Sequence, residues 1–179
     1  MRLTRRDWML AAACWAEVLR AQNKQFTYLD SASAAEIEAI ACQIIPDNET
    51  PGAKQAGVIY FIDGALAGYD QDKRELYKRG LAETQATRVK MFPGSPSIAV
   101  LASAQQIALL KAIEKTDFFQ QVRQHTVLGF LGHPKYGGNR DMVGWKLIGV
   151  EHKMQYQPPF GYYDAVAVRE GKGAREGQK

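Results

Sequence analysis

Residues 133–150 read H-P-K-Y-G-G-N-R-D-M-V-G-W-K-L-I-G-V, with glycine at 137, 138, 144 and 149. No helix or strand interior tolerates glycine at that density, because glycine loses more backbone freedom on ordering than any other residue. Gly137-Gly138-Asn139 therefore reads as a tight left-handed turn: glycine reaches positive φ without a Cβ clash, and asparagine is the residue most at ease beside it. Arg140 and Asp141 stand where the chain leaves that turn. Three uses stay open for them: pairing with each other, holding turn carbonyls, or facing a partner. Beyond the turn, Trp145-Lys146-Leu147-Ile148 is expected to form a short extended piece.

Working outward, the segment that feeds the turn is the most apolar. Phe118, Phe119, Val122, Thr126 and Phe130 recur at three- and four-residue spacing, which predicts a helix across the core, capped by Thr116. His125 falls on the flank of its apolar face and His133 at its exit. Earlier in the chain, Ser33-Ala34-Ala35-Glu36 has the pattern of a capping box ahead of Ile37, Ile40 and Ile44, and Pro46 stops that helix. A loop over 47–57 leads to a second helix, 58–67, that buries Val58, Phe61, Ile62 and Ala65 and ends at Gly68. Residues 70–90 suit a longer surface helix with Leu76, Tyr77, Leu81 and Val89 as its apolar residues and a solvated charged face. Phe92-Pro93-Gly94-Ser95-Pro96 interrupts it. A second capping box, Ser103-Ala104-Gln105-Gln106, opens a helix through Ile107, Leu110 and Ile113. No stretch alternates as a strand would. The expected fold is all-α: a single compact helical domain with an irregular Gly-rich C-terminal segment.

These segments also carry a resemblance. The run P-K-Y-G-G-N-R-D-x-V-G-W-K-L-I-G at 134–149, followed by P-x-G-Y-Y-D at 159–164, resembles the C-terminal signature of the gluconate 2-dehydrogenase subunit 3 family. I-I-P-x-x-x-T-P-G-A-x-x-A-G-V-x-x-F-I-D at 44–63 resembles its N-terminal block, and T-x-x-G-F at 126–130 the segment before the turn. The matches run from about 33 to 164; residues 70–116 carry no specific motif. The resemblance implies a small subunit of a membrane-associated, flavin-dependent sugar or sugar-acid dehydrogenase. The large subunit would bind FAD, and a cytochrome c subunit carrying haem c would pass electrons to the membrane. This chain would hold no cofactor itself and would supply the export signal and stabilise the large subunit.

Composition sets independent limits. The chain has 179 residues, 46% hydrophobic and 23% charged, enough for one core. Its formal charge of +4 is modest, and removing residues 1–21 leaves 19 Lys and Arg against 17 Asp and Glu. No basic face interleaved with aromatics points to nucleic acid. Thr4-Arg5-Arg6-Asp7-Trp8-Met9-Leu10 places paired arginines ahead of a short apolar run, and Ala21 suits a cleavage point. Residues 1–21 thus read as a twin-arginine-like signal, with an ordinary secretory signal or an amphipathic first helix as the alternatives. Such a signal directs already folded proteins to the periplasm. The expected organisation is a signal over 1–21, the helical domain over 22–164, and a polar, glycine-rich tail over 165–179 without fixed structure.

Few residues suggest chemistry. Cleavage would remove Cys14 and leave Cys42 without a disulfide partner, on an apolar helical stripe where it reads as packing. His125, His133 and His152 lack metal-ligand spacing, and Gly57, Gly64 and Gly68 do not make a dinucleotide fingerprint. The remaining candidate is the turn itself: Tyr136, Gly137, Gly138, Asn139, Arg140, Asp141 and Trp145. They form either a structural bend or a partner surface. A stand-alone periplasmic binding module is the rival, with the turn amides and Arg140 cradling an anion and Tyr136 and Trp145 stacking on a sugar.

Overall fold

The computed structural model describes residues 26–153 together with Gly161, Ala165, Val166 and Arg169. The expected signal segment over 1–21 with Arg5, Arg6 and Cys14, the 159–164 motif apart from Gly161, and most of the 165–179 tail lie outside the described residues. Among those described are six α-helices and no strand, so the fold is all-α.

Helix α1 (Ser31–Ile44) starts two residues before the expected cap. Asp30 is its N-cap: Oδ1 accepts from the Ser33 N–H at 2.9 Å and Oδ2 from the Ser33 hydroxyl at 2.7 Å. These bonds stabilise the carboxylate and hold the Asp30 pKa below its usual value. Glu36 is no capping partner. It is buried, and its Oε2 accepts from the Ile98 N–H at 2.8 Å.

Helix α2 (Val58–Ala67) has the expected bounds, between Gly57, in left-handed backbone at φ 66°, and Gly68. Val58, Ile59, Phe61, Ile62, Ala65 and Leu66 are all buried, so the helix is covered nearly all round and is the central element. It packs against α1 and most extensively against α5 (Asp117–Leu131). Burying each such large aliphatic side chain contributes about 1.5–3 kcal/mol. Asp63 is buried among them. Its carboxylate accepts from the backbone N–H groups of Thr27, Tyr28 and Leu29 at 2.7, 2.9 and 2.8 Å, binding the start of the described chain to the middle of α2.

A 3-10 turn (Gln71–Lys73) leads into α3 (Arg74–Met91). Its inward face is Tyr77, Gly80, Thr84 and Arg88, whereas Val89, expected on the apolar side, is 50% exposed. Gly80 is required by contact: a Cβ there would overlap the Phe118 ring of α5. The loop before α4 (Ser103–Ile113) buries Ile98 completely. Helix α4 is preceded by Ala102, whose N–H donates to Gln105 Oε1 at 3.1 Å; Ser103 is not the cap. Gln106 turns inward and donates from Nε2 to the Ile98 carbonyl at 3.0 Å, while Ile107 is 44% exposed and Leu109, Leu110 and Ile113 face the core. Thr116 caps α5 as expected, accepting from the Phe119 N–H at 3.2 Å. Helix α5 packs on α1, α2 and α3 and delivers the chain to the turn. Residues 145–148 are not extended: α6 (Val143–Leu147) is a short helix.

Candidate functional site

The turn is assembled on the C-terminal end of α5 and the outer side of α2. His133 begins it, Nδ1 accepting from the Lys135 N–H at 3.1 Å ahead of a 3-10 turn (Pro134–Tyr136). Gly137 follows at φ 99°, its N–H donating to the Pro134 carbonyl at 3.0 Å. Left-handed backbone thus occurs at Gly137 and at Asn139 (φ 44°) but not at Gly138. Gly138 has a different reason: a Cβ there would collide with the Gly129 carbonyl of α5.

Asn139 is fully buried and holds the two sides together. Its Nδ2 donates to the Gly132 carbonyl at 2.9 Å, and its Oδ1 accepts from the Gly144 N–H at 2.9 Å. One amide therefore satisfies an orphan carbonyl beyond α5 and an orphan N–H in the first turn of α6. Gly144 must be glycine here, since a Cβ would overlap the Phe130 carbonyl. A 3-10 turn (Arg140–Met142) joins these points, with Asp141 at φ 55° and Met142 at φ 57°. Left-handed backbone at a residue other than glycine costs on the order of 1–3 kcal/mol.

Arg140 and Asp141 do not pair with each other. The Arg140 N–H donates to the Ala56 carbonyl at 3.0 Å, and its guanidinium lies over the Tyr60 ring, 5.3 Å from the centroid. It also packs against Gly57, where a Cβ would come within 3.0 Å of Nη2. Trp145 is tied inward: Nε1 donates to the Leu131 carbonyl at 2.6 Å, and the ring stacks on His152 at 5.3 Å and meets His133 edge-on at 5.6 Å. Tyr136 is 53% exposed with Lys135 Nζ 4.8 Å from its ring centroid. The candidates therefore separate. Gly137, Gly138, Asn139 and Trp145 hold the bend, while Tyr136, Arg140 and Asp141 are exposed on it. As an anion cradle the turn has already spent the amides of Gly137 and Arg140 on protein carbonyls.

A second constellation was not legible in the sequence. His125 is fully buried rather than on a flank. Its Nδ1 is 2.8 Å from the Tyr77 hydroxyl, and its Nε2 is 2.9 Å from Asp70 Oδ2 and 3.0 Å from the Gln121 side chain. With the Asp70 carboxylate at Nε2, the neutral ring carries its proton there and Nδ1 accepts from the Tyr77 hydroxyl; burial favours that neutral form. Burial lowers the His125 pKa, against the opposing pull of Asp70, and raises that of Tyr77. The phenol also stacks on the imidazole at 5.8 Å. Position 125 lies three residues after Val122 on the inward stripe, and that spacing was the available signal; Asp70, 55 residues away, gave none. The Cys42 thiol is pushed up to about 11, chiefly by burial and then by Glu38 and Asp47, so it stays protonated at neutral pH. Among the described residues no group of three or more His, Cys, Asp or Glu is placed to hold a metal ion, and no helix is long and apolar enough to cross a membrane.

Fold and site together define an all-α module closed by a locked Gly-rich turn. Residues 31–151, well over half of the chain and everything from α1 through α6, match the family described as gluconate 2-dehydrogenase subunit 3, and the chain belongs to that family. It is accordingly related to a subunit of a multi-subunit dehydrogenase complex. No curated protein and no solved structure matches the chain.

Proposed function

We propose that this chain is the non-catalytic small subunit of a periplasmic, membrane-associated, flavin-dependent sugar or sugar-acid dehydrogenase complex. In that role it supplies the export signal and stabilises the FAD-bearing large subunit, while a cytochrome c subunit carries electrons onward to the membrane. The observation that carries this reading is the family match, because it extends over the whole fold rather than over the turn alone. The geometry supports it at the turn. Buried residues lock the bend to α2 and α5, and exposed Tyr136 and Arg140 stand on that rigid frame, as interface anchors do. The Arg5-Arg6 pair supports export of a folded complex, since a large subunit that loads its cofactor in the cytoplasm can be carried out by a partner's signal.

Changing Arg5 and Arg6 to lysine in the full complex, followed by cell fractionation, tests this directly. The expected result is that dehydrogenase activity and the large subunit stay in the cytoplasm. Normal periplasmic activity of the large subunit in a strain lacking this chain would overturn the proposal.

A further inference from the structure

The outer face of the turn holds two cations, Lys135 and Arg140, that no ion pair links to a carboxylate among the described residues. Each lies over a tyrosine: Arg140 at 5.3 Å from the Tyr60 centroid and Lys135 at 4.8 Å from that of Tyr136. Arg140 is held in place beforehand. Its backbone is anchored to Ala56, its guanidinium rests on Gly57 and Tyr60, and Tyr60 is itself stacked on Phe26 at 5.5 Å. Its side-chain N–H groups donate to no acceptor among the described residues, which leaves a pre-ordered fork of the shape that binds a carboxylate in two places. A side chain already ordered loses little entropy on binding.

The strip continues along α2. One turn beyond Tyr60, a Cβ at Gly64 would lie 3.9 Å from the Tyr136 carbonyl, and Tyr69, just past the end of α2, is 63% exposed, its pKa raised by burial and then by Asp70 and Tyr136. We infer that this strip is the docking surface for an acidic face of the large dehydrogenase subunit. Arg140 grips a carboxylate there, and Tyr136 and Tyr69 form the aromatic flank. The inference rests on the subunit reading above. Charge selects the partner: Lys135 and Arg140 are opposed on the turn only by Asp141, and nearby Asp70 is engaged by His125. Exposure selects a protein over a small molecule. Ligand sites bury most of their ligand, whereas Tyr136 and Tyr69 stand open and need a broad surface to cover them.

The test is capture of the complex by a tag on this chain, co-expressed with its large subunit, with retained flavin absorbance per mole of tagged chain measured over a salt series. Arg140→Glu and Tyr136→Ala are compared with Lys111→Glu on α4, and thermal melts establish that each variant is folded. Arg140→Glu is expected to lower retained flavin at least tenfold, Tyr136→Ala several-fold, and Lys111→Glu not at all. Arg140→Lys, which keeps the charge and loses the fork, is expected to fall between and decides the matter if Arg140→Glu does not fold. Wild-type retention by both Arg140 variants and by Tyr136→Ala would overturn the docking surface and leave the subunit reading standing. Failure of the wild-type chain to retain any flavin protein would overturn both.

Discussion

At Asn139 a single side-chain amide makes two hydrogen bonds that the backbone leaves unmade, to the Gly132 carbonyl and the Gly144 N–H, in a fully buried position. Asn139→Ala removes both and places a Cβ-only side chain at φ 44°, where asparagine is better tolerated. The expected loss is roughly 1–3 kcal/mol for each buried group left unpaired, measurable by urea unfolding. His125 gives a prediction of a different kind. Burial lowers its folded pKa below the ordinary 6.5, so the unfolded chain binds the proton more readily. Its contribution to stability is complete above pH 6.5 and is lost as the pH falls through the folded value. Unfolding free energies between pH 7.5 and 5 should therefore decline more steeply for the wild type than for His125→Gln, whose side chain does not titrate. Equal slopes would mean that the Tyr77–His125–Asp70 network carries no proton linkage.

The helices show where local signals suffice and where they fail. The bounds of α2 were legible because Gly57 and Gly68 punctuate it, and the start of α5 because Thr116 is a true cap. The caps of α1 and α4 were misread for a shared physical reason. Glu36 and Gln106 have the right spacing for capping partners, but they hold the N–H and the carbonyl of buried Ile98, a tertiary demand that a local pattern does not contain. Residues 145–148 read as extended, whereas 143–147 form a helix whose Gly144 N–H is met by Asn139 across the turn, a contact that the local pattern does not contain. The turn itself was legible as a bend; which of its residues lock it and which face outward depended on contacts with Ala56, Gly57, Tyr60 and Leu131. Asp63 was invisible as a clamp, since the amides it binds lie 34 to 36 residues upstream. Asp63→Asn keeps the size and loses the charge, and is expected to destabilise the fold by roughly 1–3 kcal/mol. Hydrogen exchange should accelerate at Thr27, Tyr28 and Leu29, and unchanged protection there would contradict the clamp.

For the molecule as a whole, family membership and an all-α core with an outward-facing cationic and aromatic strip support one account: a small subunit that works by holding and exporting a flavoprotein. The measurement that bears on it most directly is affinity purification of the tagged full-length chain from its native host, with absorbance spectra and mass spectrometry of what it retains. The account predicts co-purification of a larger chain with the flavin absorbance of a dehydrogenase, accompanied by a c-type cytochrome. A colourless protein recovered alone, from cells in which the dehydrogenase is active, would contradict it.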